Sequence, residues 1–371
     1  MAKKRIPQKR GAKRNAAGTT GNNRAPEPAP RRAKPAAARE SAWLFRCAPG
    51  LGRTVQGELR HRNLIRHTDR VDRLWQRNHD LLFVPRLRQD PTTVPALRLV
   101  EDASRCLIYG RYKISRQQLD RLAEALRTEN TAWRLAVTVE GTHFNRQDLR
   151  RWLARELSAR HLGIDDGAAA TLFVFCIESA YYIGHAAYTA ADAVGRDART
   201  AERQGSLPPT VAAAMVFLGR PRDSDIILDP VCGSGTLLAE AHAAAPAARL
   251  IGRDIDRKAV AAARKNLDET ASDIGPGDAT ALDLGSDRPS LVLANLPFGK
   301  QFGDAAETPD LYHAVFTELN RWRAPTGWRG VMLTHDAGLV RQTCPSGQMT
   351  VRNQIPIKIR GEAATIVTLE S

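Results

Sequence analysis

Residues 225–236, DIILDPVCGSGT, run from an apolar strand through a turn containing two glycines into a helix. The same grammar repeats toward the end of the chain. Apolar strands are predicted at 225–228, 249–252, 290–294 and 330–334, with helices at 236–244, 257–267 and 309–322 between them. An Ala-rich helix precedes the first strand; Pro208 and Pro209 open it and Gly219 is expected to close it. A strand hairpin, 350–357 with 364–369, follows the last. This alternation predicts a parallel, doubly wound α/β sheet finished by an antiparallel pair.

The segment before it obeys a different pattern. Strands are predicted at 42–47, 81–85, 105–109, 135–140, 171–177 and 181–188. A helix at 53–64 turns Val55, Leu59 and Ile65 inward, and another follows the cap residue Ser115 with Leu119, Leu122 and Leu126 on one face. A third, from Asn145, buries Leu149, Trp152, Leu153 and Leu157 and carries Arg150, Arg151, Arg155 and Arg160 on its other face. Those arginines are either a solvated face or a track for a phosphate backbone. Residues 42–190 therefore read as α+β, and the polar, irregular stretch 191–205 as a linker.

Charge is spread unevenly over the 371 residues, whose net charge is +15. Residues 1–40 hold 12 Lys/Arg against 2 acids, 41–210 hold 26 against 19, and 211–371 hold 17 against 19. The first forty residues contain no aromatic, so they cannot bury enough apolar surface to offset ordering; a disordered, polyanion-seeking tail is expected. No stretch reads as a membrane span or secretory signal. The five cysteines (Cys47, Cys106, Cys176, Cys232, Cys344) are scattered without a CxxC, which argues for a reducing, cytoplasmic setting. The nine histidines show no metal-like spacing, and no metal is expected.

The glycine loop carries the first chemical signal. Gly233 and Gly235 let the backbone approach a ligand, and Asp254, at the end of the second strand, is placed to accept both hydroxyls of a ribose. A dinucleotide fingerprint wants a small residue at 238, where this chain has Leu238, and no Walker loop is present. Asp229 at the head of the loop would repel a pyrophosphate but suits an ammonium group. A ligand with an amino-acid end and a ribose end is S-adenosylmethionine. Asp278, after the next helix, can accept from an adenine amino group, whereas Asp256 reads as the N-cap of the helix at 257.

The second signal is Asn295-Leu296-Pro297-Phe298 at the end of a buried strand. Alone it would be an ordinary turn. After a donor site it suits methyl transfer to an exocyclic amine, whose lone pair is a poor nucleophile. The Asn295 side-chain oxygen and the Leu296 carbonyl can hold both N–H groups and accept the charge developing on nitrogen. Phe298 can stack on the base.

In order, GSLPP, DPVCGSGT, GRDID, GDAT and NLPFG resemble the Rossmann-fold methyltransferases that modify amino groups. More narrowly, 42–371 resemble the THUMP-containing RNA guanine-N2 methyltransferases of the TrmN type. The resemblance implies a ferredoxin-like segment at 41–110, a THUMP-like RNA-binding domain at 111–190 and a methyltransferase domain at 206–371. It implies cofactor contacts at Asp229, Pro230, Gly233, Gly235, Asp254, Ile255, Asp278 and Ala279, and a target-base site at Asn295, Leu296, Pro297 and Phe298. Leu296 departs from the proline frequent there, and Gly163-Ile164-Asp165-Asp166-Gly167 lacks the Lys…Pro pattern of THUMP domains. The expected activity is methylation of a guanine N2 in tRNA, in the acceptor-stem region. The alternatives are the same chemistry on rRNA guanine, DNA adenine or a protein glutamine, and a non-catalytic RNA-binding scaffold. The expected partner is tRNA or another structured RNA, bound by a monomer, with the need for an activator protein open.

Overall fold

The computed structural model describes residues 42–75, 79–94, 96–128, 132–141, 145–189, 206–267, 270, 272–297, 308–344 and 349–371. The expected 1–40 tail and 191–205 linker, and Phe298, lie outside these residues.

Strands β1 (Ala42–Cys47), β2 (Asp72–Trp75), β3 (Asp80–Val84), β4 (Asp102–Arg111), β5 (Trp133–Glu140), β6 (Ala170–Ile177) and β7 (Ala180–Thr189) form one sheet in the order β2-β3-β1-β4-β7-β6-β5. Every neighbouring pair is antiparallel except β5–β6. Alternation in β1 sends Trp43, Phe45 and Cys47 to one cluster and Ala42 and Leu44 to another. Helices α1 (Gly52–His61), α2 (Arg116–Arg127) and α3 (Arg146–Ser158) belong to this part. Ser115 and Gln118 form a reciprocal capping box on α2, and Asn145 accepts from the first N–H groups of α3. Leu153 and Leu157 are fully buried, while Leu149 and Trp152 are half-buried. Three of the four arginines pair locally: Arg150 with Asp166, Arg151 with Asp148, and Arg160 with Asp120 and Glu156.

The second sheet follows helix α4 (Pro209–Gly219). It comprises β8 (Ile226–Asp229), β9 (Arg249–Asp254), β10 (Ser272–Pro276), β11 (Leu291–Asn295), β12 (Arg329–Thr334), β13 (Thr350–Ile359) and β14 (Glu362–Glu370), ordered β10-β9-β8-β11-β12-β14-β13. The first five in that order are parallel and the last two antiparallel, as the alternation predicts. Helices α5 (Thr236–Ala244), α6 (Arg257–Asn266), α7 (Thr308–Arg321) and α8 (Ala337–Thr343) complete it. Leu250, Leu291 and Leu293 pack in one cluster with α4, α5 and α6 residues, and Ile251, Val292 and Ala294 in another with α7 and α8 residues. Both faces of the sheet are thereby covered.

Gly219 does not close α4. Arg220 takes the left-handed cap at φ 48, and its N–H donates to the Val216 carbonyl. Gly219 is instead the last helical residue, where a Cβ would press 3.1 Å from Leu291 Cδ1, so the missing side chain serves close packing on the sheet.

The two sheets share one core. Val55 and Leu59 of α1 lie in the same hydrophobic cluster as Val211 and Met215 of α4. The Arg98 guanidinium meets Glu240 of α5 at 2.7 Å, with the carboxylate almost fully buried. Glu58 of α1 accepts the Arg98 and Leu99 N–H groups at 2.7 and 3.2 Å. At Gly50 (φ 94) a Cβ would collide with the Pro356 carbonyl oxygen, and Lys358 N–H donates to Pro49 O at 3.1 Å. Among the described residues no helix is long and apolar enough to cross a membrane.

Candidate active site

Asp254, Asp229 and Asn295 are the last residues of β9, β8 and β11, three neighbouring strands. Chain order runs outward from β8 through β9 to β10 on one side and from β11 to β12 on the other. A parallel sheet opens a crevice beyond the carboxyl ends of its strands at such a reversal. Pro276 ends β10, and Gly277-Asp278-Ala279 follow it.

The loop after β8 is shaped by sterics and by its neighbour. Gly233 and Gly235 adopt φ 55 and 80, and Gly235 N-caps α5 without a side chain to occupy the first-turn N–H groups. A Cβ on Gly235 would stand 3.0 Å from Leu267, whereas one on Gly233 would meet nothing within 4 Å and project into open space. Cys232 N–H donates to the Arg253 carbonyl at 2.8 Å, pinning the loop beside β9. Leu238 is fully buried, against the place a Cβ on Gly252 would take, so position 238 is spent on helix–sheet packing. Pro230 is buried too.

Asp254 accepts Gly233 N–H at 2.8 Å on one oxygen and Asp256 N–H at 2.9 Å on the other. Each oxygen keeps lone-pair capacity for a further donor. Asp256 caps α6 through Lys258 N–H, as the sequence suggests. Asp229 is 1% exposed and accepts Val231 N–H at 3.1 Å. Burial pushes its carboxyl up to about 8; the Val231 bond opposes the rise and the Asp254 charge adds to it. A cation beside Asp229 would restore its ionised form. Asp278 is exposed, with Oδ1 engaged by Thr280 N–H and hydroxyl, and Ala279 is buried beside it. Ile255 stands 73% exposed directly after Asp254. A ligand with a ribose, an ammonium and a flat base thus has residues suited to each part.

Asn295 Oδ1 is buried without a hydrogen-bond partner among the described residues. Such an oxygen costs about 1–3 kcal/mol unless a ligand supplies the missing donor. Leu296, also buried, extends the ladder by donating its N–H to Leu333 O at 3.0 Å. Pro297 has no N–H to continue it, so the chain leaves the sheet there.

Several supporting residues escaped the sequence analysis. Ser206, inside the GSLPP motif, contacts the Ser234 hydroxyl at 3.2 Å, and Asn266 donates to Ser234 O at 2.9 Å. Thr334, buried at the end of β12, meets the Tyr312 hydroxyl at 3.1 Å and accepts Asp336 N–H at 3.0 Å. Only Ser206 lay in a recognisable motif; the others come together through tertiary contacts. A groove of about 530 Å³ lined by Arg288, Asn320, Arg321 and Arg323 lies at the opposite, amino-terminal side of β11. Two of its guanidiniums sit over the Trp322 ring at 4.9 and 4.8 Å, and none of its lining residues belongs to the strand-end site.

The strand order is that of a Rossmann-like, doubly wound α/β domain with an antiparallel terminal pair. Residues 196–360 match the family model described as RMKL-like, methyltransferase domain. The chain is 32% identical over 146 residues to tRNA (guanine(6)-N(2))-methyltransferase THUMP3 of Homo sapiens, covering 35% of this chain and 29% of that protein. It is 32% identical over 117 residues to tRNA (guanine(10)-N2)-dimethyltransferase of Methanothermobacter thermautotrophicus, covering 31% of this chain and 34% of that one. The first curated relatives are matched over only 29% of their own length. The crystal structure of TrmN from Thermus thermophilus superposes with a TM-score of 0.74 over 89% of this chain and 99% of that one. At 22% identity that likeness establishes the fold, and its coverage takes in both sheets.

Proposed function

We propose that this protein is an S-adenosylmethionine-dependent RNA methyltransferase that modifies the N2 amine of a guanine in the acceptor-stem region of tRNA. The observation that carries the reading is the buried, unpartnered Asn295 oxygen on the strand next to Asp229. S-adenosylmethionine supplies an electrophilic methyl group when bound. Asp254 takes the ribose hydroxyls on its remaining lone pairs, Asp229 faces the ammonium, Ile255 and Ala279 flank the adenine, and Asp278 accepts from its amino group.

Asn295 Oδ1 and the Leu296 carbonyl accept the two N–H groups of the target amine. They orient its lone pair and stabilise the positive charge that builds on nitrogen. The product nitrogen is acidic, so no strong base is required before transfer. A guanine amine in a duplex is out of reach until the base flips, and Phe298 is assigned to receive it. The first sheet, in the basic 41–210 region, docks the RNA, while the slightly acidic remainder admits one nucleotide. A cytoplasmic setting is part of the proposal, supported by the scattered cysteines without a CxxC.

Incubation with unmodified total RNA and methyl-labelled donor, followed by nucleoside analysis, tests the proposal. Label in N2-methylguanosine from tRNA supports it; label in rRNA, DNA or protein glutamine instead overturns the substrate assignment.

A further inference from the structure

Among the described residues, three large hydrophobic side chains stand exposed: Ile255 at 73%, Tyr109 at 46% and Tyr112 at 76%. The donor pocket accounts for Ile255. The two tyrosines lie far along the chain from it, at the end of β4 and just beyond, in Tyr109-Gly110-Arg111-Tyr112-Lys113. Arg111 and Lys113 are exposed, as is Arg116 at the start of α2, and none of the three makes an ion pair among the described residues. The neighbouring Arg70 is matched by Asp72, and the β6–β7 turn contributes one acid, Glu178.

The Tyr109 ring and the Tyr112 backbone are held in place. The Tyr109 ring packs on Phe83 at 4.7 Å between centroids, and Phe83 on Tyr182 at 4.8 Å. Gly110 leaves room for the Tyr181 hydroxyl, with which a Cβ would collide. Tyr112 adopts φ 64, a left-handed conformation rare for a bulky residue, and its N–H donates to Ser179 O at 2.7 Å. Backbone strain that keeps an aromatic ring in water calls for a use of that ring.

We propose that Tyr109 and Tyr112, with Arg111 and Lys113, form a stacking subsite for unpaired nucleotides of the RNA substrate. Flat rings interleaved with unpaired cations match a single strand, which offers base faces and phosphates together; a duplex hides its base faces. An acidic protein partner would use the cations and leave the rings idle. The proposal rests on the methyltransferase reading for the identity of the RNA, but its binding chemistry does not.

The test is fluorescence anisotropy with labelled oligouridine and oligoadenosine single strands and a blunt RNA hairpin, using the full chain. Tyr112→Ala should weaken single-strand binding about tenfold. Tyr112→Phe should keep it, and Arg111→Ala should flatten its salt dependence. Hairpin and S-adenosylmethionine affinities should stay within about twofold, since neither needs a stacking ring here. Tyr112 is largely exposed, so its variants are expected to fold; equal melting temperatures check this. Unchanged single-strand binding in Tyr112→Ala overturns the subsite, as does a Tyr112→Phe variant that loses as much as the alanine. Stacking-dependent binding without methyl transfer would sink the function and leave the subsite, whereas RNA methylation at unchanged KM in Tyr112→Ala would do the reverse.

Discussion

Each sheet has seven strands among the described residues, but the two hold their polar groups in different ways. In the second, five neighbouring strands run parallel, so their carboxyl ends gather at one edge and topology alone brings Asp254, Asp229 and Asn295 together. In the first, strand directions alternate across all but one pair and no such edge forms. Some of the charged side chains in and beside it pair with one another, as in Arg46 with Glu101 and Asp102, and His79 with Glu101. What it offers outward is a side-chain surface, as at Tyr109 and Tyr112. A parallel sheet makes a pocket out of its connectivity; an antiparallel one has to make a surface out of its residues.

Substitutions can sharpen or break that contrast. The largest effect is expected from Asn295→Ala. Loss of the amine acceptor should lower turnover about 10³-fold, by analogy with the removal of an oxyanion-hole group, while donor affinity holds and the melting temperature does not fall. Equal losses in turnover and donor affinity would mean that the oxygen belongs to the donor site.

Glu240→Ala probes the joint between the sheets. It leaves the Arg98 guanidinium without its buried carboxylate and should cost about 3 kcal/mol in denaturant unfolding. A single transition is expected because the sheets share a core; two transitions would show that they unfold separately.

Asp254→Ala removes an acceptor that also anchors Gly233. Calorimetry should show donor affinity falling about 30-fold, roughly one strong charged hydrogen bond, with the RNA KM little changed.

Asp229→Asn should reveal itself through pH. With its carboxyl pushed up to about 8, the folded chain retains a proton between about pH 4 and pH 8 that the unfolded chain has lost. Wild-type stability therefore falls as pH rises through that window. The variant should match wild type near pH 4, melt higher than it at pH 8, and bind the donor more weakly. Parallel melting curves across the range would refute the buried, proton-retaining carboxyl.

The smallest effect is expected at Arg151→Ala in the first sheet's region. Both partners of its Asp148 pair are largely exposed, so stability should move by no more than about 0.5 kcal/mol in thermal unfolding. A larger loss would show that this face contributes more than a solvated pair.

The second sheet was legible where apolar runs ended in polar residues, because a buried strand and its exit both leave marks in sequence. Thus Asp229, Asp254 and Asn295 stood out before the sheet order was known. β10 left little mark: Ile274 is its only buried side chain, and it ends on proline. The four-residue β2 and seven-residue α8 were too short to show periodicity. Contacts between distant segments were beyond any local pattern. Arg98 and Glu240 lie 142 residues apart, and the unpartnered state of Asn295 Oδ1 depends on every neighbour it lacks. At Gly219 the helix-ending rule lost to packing, since the residue had to clear Leu291 and passed the cap to Arg220.

A crystal structure with S-adenosylhomocysteine and guanosine bound would test the pairing of donor crevice and amine acceptor most directly. The expected arrangement has the ribose on Asp254 and the guanine N2 donating to Asn295 Oδ1, with its nitrogen facing the sulfur. A nucleoside product seated away from Asp254, or an Asn295 oxygen bonded within the protein and turned from the sulfur, would contradict it.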